Sequence, residues 1–282
     1  MLQYPRLSPD IVSFGPYSLD SGRVIGPFAL RWYGMMYLFG FLSAWLLGRY
    51  RCTKTAVFTK AQFDDVLVFG FVGVLVGARL GYALFYNPMQ FLANPLDIFR
   101  VWEGGMSFHG GMLGVMIGQG LAGRRYGKSF FQTMDFMAPL VPPGLFFGRL
   151  GNFINAELWG RVTDSPLGMV FPGAGPLPRH PSQLYEAALE GVALFTILWL
   201  FSSRPRPTMA VSGLFSLGYG VFRCFAEFFR QPDAHLGYLA FDFVTMGMLL
   251  CLPVIATGVI LLSLAYARPP ADKGKGTKPK KG

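Results

Sequence analysis

The stretch VSGLFSLGYGVFRCFAEFFR, residues 211–230, is long and almost wholly apolar, yet it carries two arginines and a glutamate. At about 100° per residue, Ser212, Ser216, Tyr219, Arg223, Glu227 and Arg230 fall within a stripe roughly 80° wide. Phe, Leu, Val and Gly fill the rest of the surface. An apolar run of about 20 residues spans a bilayer as a helix. An ionisable side chain at that depth costs several kcal/mol unless it is paired or wetted. Arg223 and Glu227 are four apart and can pair. Such a pair either locks helices together or lines a polar cavity. Two arginines against one glutamate leave positive charge over, which favours a cavity and an anionic ligand.

Similar apolar runs recur along the 282 residues, of which 52% are hydrophobic and only 14% charged. Mean hydropathy is +0.40. A soluble domain would carry nearly a quarter charged residues, about 25%. The pattern predicts an all-α, polytopic membrane protein with about seven transmembrane helices, at roughly 29–48, 65–86, 106–123, 134–151, 183–201, 209–229 and 241–266. Connections are short except 152–182, whose Gly and Pro content reads as ordered loop rather than helix. Residues 1–267 read as a single transmembrane catalytic domain, and 268–282, rich in Lys, Gly and Pro, as a disordered basic tail. The start, MLQYPRLSPD, lacks the apolar core of a cleavable signal, so the first span directs insertion. No internal repeat is visible.

Lys and Arg set the orientation. Arg49, Arg51, Lys54 and Lys60 follow the first span, Arg124, Arg125 and Lys128 the third, and Arg204 and Arg206 the fifth. The tail adds six more, whereas 87–105 has only Arg100. The N-terminus is therefore expected outside and the C-terminus inside. The net charge of +10 is topological on this reading, helped by anionic lipid headgroups, and no nucleic-acid partner is expected. Cys52, Cys224 and Cys251 have no metal or redox spacing and read as inert thiols.

Polar residues in the other spans converge in depth. Gln183, Glu186 and Glu190 share one face of the fifth span. Arg79 shares a side of the second with Tyr82 and Tyr86. His109 lies among glycines in GGMSFHGG, residues 104–111, where it is either a packing residue or a group that a ligand approaches closely. RWYGMMY, residues 31–37, places Tyr33 near the start of the first span. With the alternating orientation, Tyr33, His109, Arg79, Arg149, Glu186, Arg223, Glu227 and Arg230 all fall in the outer half of the bilayer. One polar, net basic cavity near the outer leaflet is expected. An anionic phospholipid fits that height, because the planar guanidinium fork suits phosphate oxygens.

The segment GRLGNFINAELWG, residues 148–160, closely resembles the signature of the prolipoprotein diacylglyceryl transferase family, enzymes of the bacterial inner membrane. RWYGMMY, GARLGYALFY, GGMSFHGG, SFFQTMDFMAPLVP, RHPSQLYEAALEG and VSGLFSLGYGVFRCFAEFFRQPDA resemble it too, in order, across nearly the whole chain. The resemblance implies a multi-pass transferase of the cell inner membrane. It would move the diacylglyceryl group of phosphatidylglycerol to the lipobox cysteine thiol of a prolipoprotein signal peptide. A thioether forms and glycerol phosphate leaves, the first step of bacterial lipoprotein maturation. By resemblance, Arg149 and Arg223 hold the lipid phosphate and His109 is an essential residue and candidate base. Tyr33, Tyr219, Asn152, Gly160, Glu157, Glu186 and Glu227 match the family's other site positions. Departures are Phe146 and Phe147 before Gly148, Met248, Arg31, and a small insertion at 20–28. None touches those residues.

The chemistry is substitution at carbon by sulfur. No metal-ligand cluster is apparent, and no metal or other cofactor is expected. Arg149 and Arg223 would clamp phosphate, and His109 would take the thiol proton. Asn152, Asn155 and Tyr219 would orient the headgroup or the arginines. Glu157, Glu186 and Glu227 would hold arginine geometry, and Arg230 would add to lipid binding. Helix capping and interfacial anchoring are the competing roles for Asn155 and Trp159. The rival functions are an anionic lipid or solute transporter or flippase, and a lipid-binding scaffold without catalysis.

Overall fold

The computed structural model describes residues 2–5, 7–18, 24–101, 104–232, 237–239 and 243–267. The tail read as disordered, 268–282, lies outside the described residues. The chain is helical, and each of the seven predicted spans falls on a helical run. These are α1 (Trp32–Lys54), α2 (Lys60–Phe85), α4 (Phe108–Arg125), the pair α5 (Phe130–Met137) and α6 (Val141–Ile154), the pair α7 (Ser182–Glu186) and α8 (Leu194–Phe201), α9 (Ala210–Glu227) and α10 (Met246–Ala267). Lys60–Phe85, Ser182–Phe201 and Met246–Ala267 are long and apolar enough to cross a membrane, with mean hydropathies of 1.9, 1.6 and 2.5.

Local signals explain the starts. Thr59 and Ser129 each accept from the backbone of a glutamine three residues on, whose side chain reaches back to the cap. These reciprocal caps satisfy two orphan donors at the heads of α2 and α5. A short 3₁₀ turn, Ala138–Leu140, links α5 to α6, which begins with Pro142 and Pro143 where no helical N–H is required.

Burial is inverted relative to a soluble domain. Leu38, Leu42, Val68, Val72, Ile117, Leu250 and Val259 are exposed on the outer helix faces, while Gln183, Glu186 and Glu190 are among the largest fully buried side chains. A contiguous exposed apolar surface of this kind suits lipid rather than water. Helices α2 and α4 pack backbone to backbone. A Cβ on Gly77 would come within 2.7 Å of the Gly114 Cα, and one on Gly81 within 2.8 Å of the Gly110 Cα. Small residues every fourth position make such a seam, which gains dispersion where lipid offers no hydrophobic drive.

Two features add elements that were not anticipated from the sequence. The N-terminal residues form short strands: β1 (Leu2–Gln3), β2 (Asp10–Phe14), β3 (Tyr17–Ser18), β4 (Val24–Ile25) and β5 (Phe28–Arg31). β2 pairs with β5 and β3 with β4, both antiparallel, and β1 runs parallel to β6 (Met169–Val170) in the long loop. The connection 87–105 also holds α3 (Pro88–Ala93) and a 3₁₀ turn, Pro95–Phe99. The loop after α6 is ordered, without helix from Glu157 to Pro181.

Candidate active site

Three helices and a turn deliver six charged groups to one place. Arg149 and Asn152 lie three apart on α6, so they share a face. Glu186 ends α7. Glu190 sits in a π-helical segment, Ala187–Ala193, that joins α7 to α8. A widened turn of this type recurs at functional sites. A Cβ on Gly191 would stand 2.6 Å from the Phe146 Cβ, so this segment presses directly on α6 and brings Glu190 towards Arg149. Tyr219, Arg223 and Glu227 follow at four-residue spacing on α9.

Arg149 Nη2 lies 2.6 Å from Glu186 Oε2 and 3.7 Å from Glu190 Oε2. Arg230 Nη1 lies 3.1 Å from Glu186 Oε1, and its Nε 3.3 Å from Glu227 Oε2. Arg223 Nη1 lies 2.6 Å from Glu227 Oε2. Thr245 Oγ1 donates to Glu227 Oε1 at 3.0 Å. Among the described residues, neither Glu190 oxygen accepts a hydrogen bond. The Tyr219 ring stacks on Phe215 at 6.0 Å, and Tyr219 lies in the field of Glu190, Arg223 and Arg149.

The expected net basic cavity is corrected by this count. Arg149, Arg223 and Arg230 face Glu186, Glu190 and Glu227, so the cluster is balanced when all six are ionised. The sequence stripe showed one glutamate only because the other two come from a different helix. The arginine side chains are 20%, 16% and 14% exposed, and the glutamates 1%, 0% and 6%. The carboxylates are thus the most deeply buried members of the cluster, and what exposure it has belongs to the arginine side chains.

The GRLGNFINAELWG segment builds the adjoining floor. Asn152 Nδ2 donates to Glu157 Oε1 at 2.8 Å, and Asn155 Nδ2 to the same oxygen at 3.3 Å. Glu157 is turned back to them by two left-handed residues, Ala156 at φ 52° and Leu158 at φ 57°. Non-glycine residues avoid that region, and such strain gathers at functional sites. Gln183 Nε2 holds the Glu157 carbonyl at 2.5 Å. Tyr33 packs over Gly151, where a Cβ would come within 2.9 Å of its ring, and its hydroxyl lies 3.3 Å from that of Tyr37. Asn155 is also the C-cap residue of α6, the competing role weighed for it, and Trp159 lies under the Arg179 guanidinium at 4.2 Å.

Gly160 contributes contact rather than chemistry. Its N–H donates to the His180 carbonyl at 2.8 Å, and a Cβ there would meet His180 at 2.8 Å and also the Phe229 carbonyl. It pairs with Arg230 as an isolated bridge and so sets that arginine's position. Two arginines not anticipated from the sequence brace the same junction. Arg161 donates to the carbonyls of Arg230 and Glu227, and Arg179 to those of Gly160 and Ala174. Their loop carries no periodicity that would have singled them out.

Three expectations fail in detail. Arg79 is buried, but its donors hold the carbonyls of Asp97, Ile98, Arg100, Gly104 and Gly105. It ties down the 87–105 connection and does not join the cavity. Ser212 belongs to the opposite end of α9, where its N–H and Oγ donate to Asp135. A helical stripe fixes angle and not depth, and this one runs the length of the bundle. Arg230 lies beyond the end of α9, in a turn.

His109 pairs with none of the cluster's charged groups among the described residues. It is exposed at the head of α4, rests edge-on against Phe108 at 5.6 Å, and makes no hydrogen bond or ion pair among the described residues. The glycines after it pack against α2, Gly110 closely on the Gly77 carbonyl and the Gly81 Cα.

A family model described as prolipoprotein diacylglyceryl transferase matches residues 23–264. A phosphatidylglycerol–prolipoprotein diacylglyceryl transferase of Oleidesulfovibrio alaskensis is 61% identical over 266 residues, 94% of this chain and 96% of that protein. Proteins of the same description from Nitratidesulfovibrio vulgaris and Pseudomonas aeruginosa are 56% and 55% identical, over 97% and 96% of this chain and 98% of each relative.

Proposed function

The chain belongs to the prolipoprotein diacylglyceryl transferase family; it is a transferase that moves the diacylglyceryl group of phosphatidylglycerol to a prolipoprotein, and we propose that the Arg149–Arg223–Arg230 face holds the lipid phosphate. The observation that carries this is the cluster itself, three arginines from α6, α9 and the turn after it gathered around more deeply buried carboxylates. Among the described residues Arg149 meets carboxylates through Nη2 and Arg223 through Nη1, and each guanidinium has further donors for phosphate oxygens.

The acceptor is the lipobox cysteine thiol of the signal peptide. The thiol gives up its proton, and the sulfur lone pair forms a bond to the glycerol carbon that bears the phosphate. The carbon–oxygen bond breaks, its electron pair stays on oxygen, and glycerol phosphate departs. The phosphate passes from one negative charge to two. Arginines already held in place gain most when that second charge appears, the form of electrostatic stabilisation worth about 3 kcal/mol per donor. His109 is the proton acceptor in this reading, and its ring nitrogens have no protein partner among the described residues. Asn152, Asn155 and Tyr219 orient the headgroup or the arginines. Glu186, Glu190 and Glu227 fix arginine geometry; Glu157, expected to do the same, instead holds Asn152 and Asn155, and Tyr33 closes the floor beside Gly151.

The protein spans the bacterial inner membrane about seven times, N-terminus periplasmic and C-terminus cytoplasmic, with the arginine cluster towards the periplasmic side. The common location of Arg51, Lys54, Arg204 and Arg206 at one end of the bundle supports this, because positive loops stay inside.

The test uses phosphatidylglycerol vesicles and a lipobox peptide. Arg149→Lys and Arg223→Lys keep charge but lose the planar fork, and each is expected to lower kcat/KM by about 100-fold or more. Full thioether formation by Arg149→Lys overturns the clamp. His109→Gln with an unchanged pH–rate profile removes the assigned base.

A further inference from the structure

A basic chamber lies at the end of the bundle opposite the balanced arginine–glutamate cluster. Arg51 is eighteen residues along α1 from Tyr33, about 27 Å at the helical rise. It is 7% exposed, yet it has no acidic partner among the described residues. Its Nη1 donates to Ser202 Oγ at 2.8 Å, and its guanidinium lies over the rings of Phe136 at 5.3 Å and Trp199 at 5.7 Å. Nε is buried without a partner. The cavity it borders measures about 430 Å³ and is also lined by Lys54, Gln132, Ser202, Arg204 and Arg206.

The carboxylate at its edge does not neutralise it. Asp135 accepts from Met209 N at 2.7 Å, Ser212 N at 2.8 Å and Ser212 Oγ at 2.6 Å, so its oxygens are committed to the head of α9. Arg204 and Arg206 form no ion pair among the described residues, and Arg206 Nε instead donates to the Phe201 carbonyl at 2.8 Å. Four cations therefore share one chamber with a single committed anion. A nearly buried arginine with idle donors is expensive unless an anion completes it. Tyr50 and Trp199, stacked at 6.1 Å beside it, are rings of the type that sit at headgroup height.

We propose that this chamber, at the end of the bundle opposite the arginine–glutamate cluster, binds a phosphate-bearing anion through Arg51, Lys54, Arg204 and Arg206. The ligand is a phospholipid headgroup of the facing leaflet or a free phosphate. Both offer oxygens matched to a guanidinium fork, and the volume lies within the usual range for a bound small molecule, about 300–1,000 Å³. The site takes no part in the transfer reaction.

The test uses delipidated full-length protein in detergent. Thermal unfolding and native mass spectrometry are read with dioleoyl phosphatidate, dioleoyl phosphatidylcholine or inorganic phosphate added. Phosphatidate is expected to raise the melting temperature more than phosphatidylcholine does. The Arg204→Gln/Arg206→Gln double variant should bind phosphatidate at least threefold more weakly and retain one fewer lipid. Arg51→Gln should lose the effect altogether, with diacylglyceryl transfer unchanged in both variants. If inorganic phosphate alone gives the variant-sensitive shift, the site holds and its ligand is soluble. Equal phosphatidate and phosphate responses in wild type and the double variant overturn it, and that exposed pair decides the matter even if Arg51→Gln does not fold.

Discussion

Arg149 Nη2 sits 2.6 Å from Glu186 Oε2, while the second oxygen of the same carboxylate takes Arg230 at 3.1 Å. One buried glutamate thus joins α6 to the turn after α9. Glu186→Gln keeps the shape and removes the charge that both arginines share. Breaking a buried pair from one side leaves uncompensated cations, at about 3 kcal/mol or more. Expected outcomes are a clear drop in melting temperature in detergent and a fall in transfer of about 100-fold. A variant that keeps both would show that Glu186 does not organise the arginines.

Glu190 offers a finer test, because among the described residues it makes no hydrogen bond and its one ion pair is with Arg149, at 3.7 Å. Glu190→Gln leaves packing intact and frees Arg149 to hold anions harder. Binding energy applied equally to substrate and product does not speed chemistry. KM for phosphatidylglycerol should fall, and kcat should fall too, by roughly tenfold, as the glycerol phosphate dianion leaves more slowly. Initial rates against lipid concentration separate this from a simple loss of fold, which would leave KM unchanged in the surviving enzyme.

Much of this arrangement was readable in advance, for particular reasons. Tyr219, Arg223 and Glu227 keep strict four-residue spacing on an apolar helix, so angle alone brought them together. The mixed polarity of residues 148–160 singled out Arg149, Asn152 and Glu157 before any geometry was known. Depth was not legible. Ser212 shares the stripe but caps α9 through Asp135, a residue far away in sequence. Arg79 looked like a cavity lining because its consumers are backbone carbonyls, which leave no trace in side-chain patterns. The charge balance was missed because Arg79 was counted in and Glu190, which a π segment brings to Arg149, was left out.

Gly160 predicts how little room the junction has. A Cβ there would lie 2.8 Å from the His180 carbonyl and 2.9 Å from the His180 Cβ. Gly160→Ala therefore has to push apart the loop and the turn that holds Arg230. Overpacking of this kind costs about 1–3 kcal/mol. Activity should fall further than that loss explains, because Arg230 moves with the turn. Measuring the melting temperature and kcat/KM together separates the effects. If activity falls only in proportion to the folded fraction, Gly160 matters for packing alone.

His180 gives the loop a pH dependence with a definite sign. Its Nδ1 lies 3.2 Å from the Tyr185 hydroxyl, its ring packs edge-on against Phe229 at 5.1 Å, and burial, then the charge of Arg161, hold its pKa below the ordinary histidine value. The folded protein thus resists protonation that the unfolded chain accepts near pH 6.5. A depressed folded pKa means stability present above the unfolded value and lost as pH falls through the folded one. Melting temperature should therefore decline below about pH 6.5, and His180→Gln should flatten that part of the profile while lowering stability at pH 8. An unchanged acid limb in His180→Gln would assign the pH dependence to other groups.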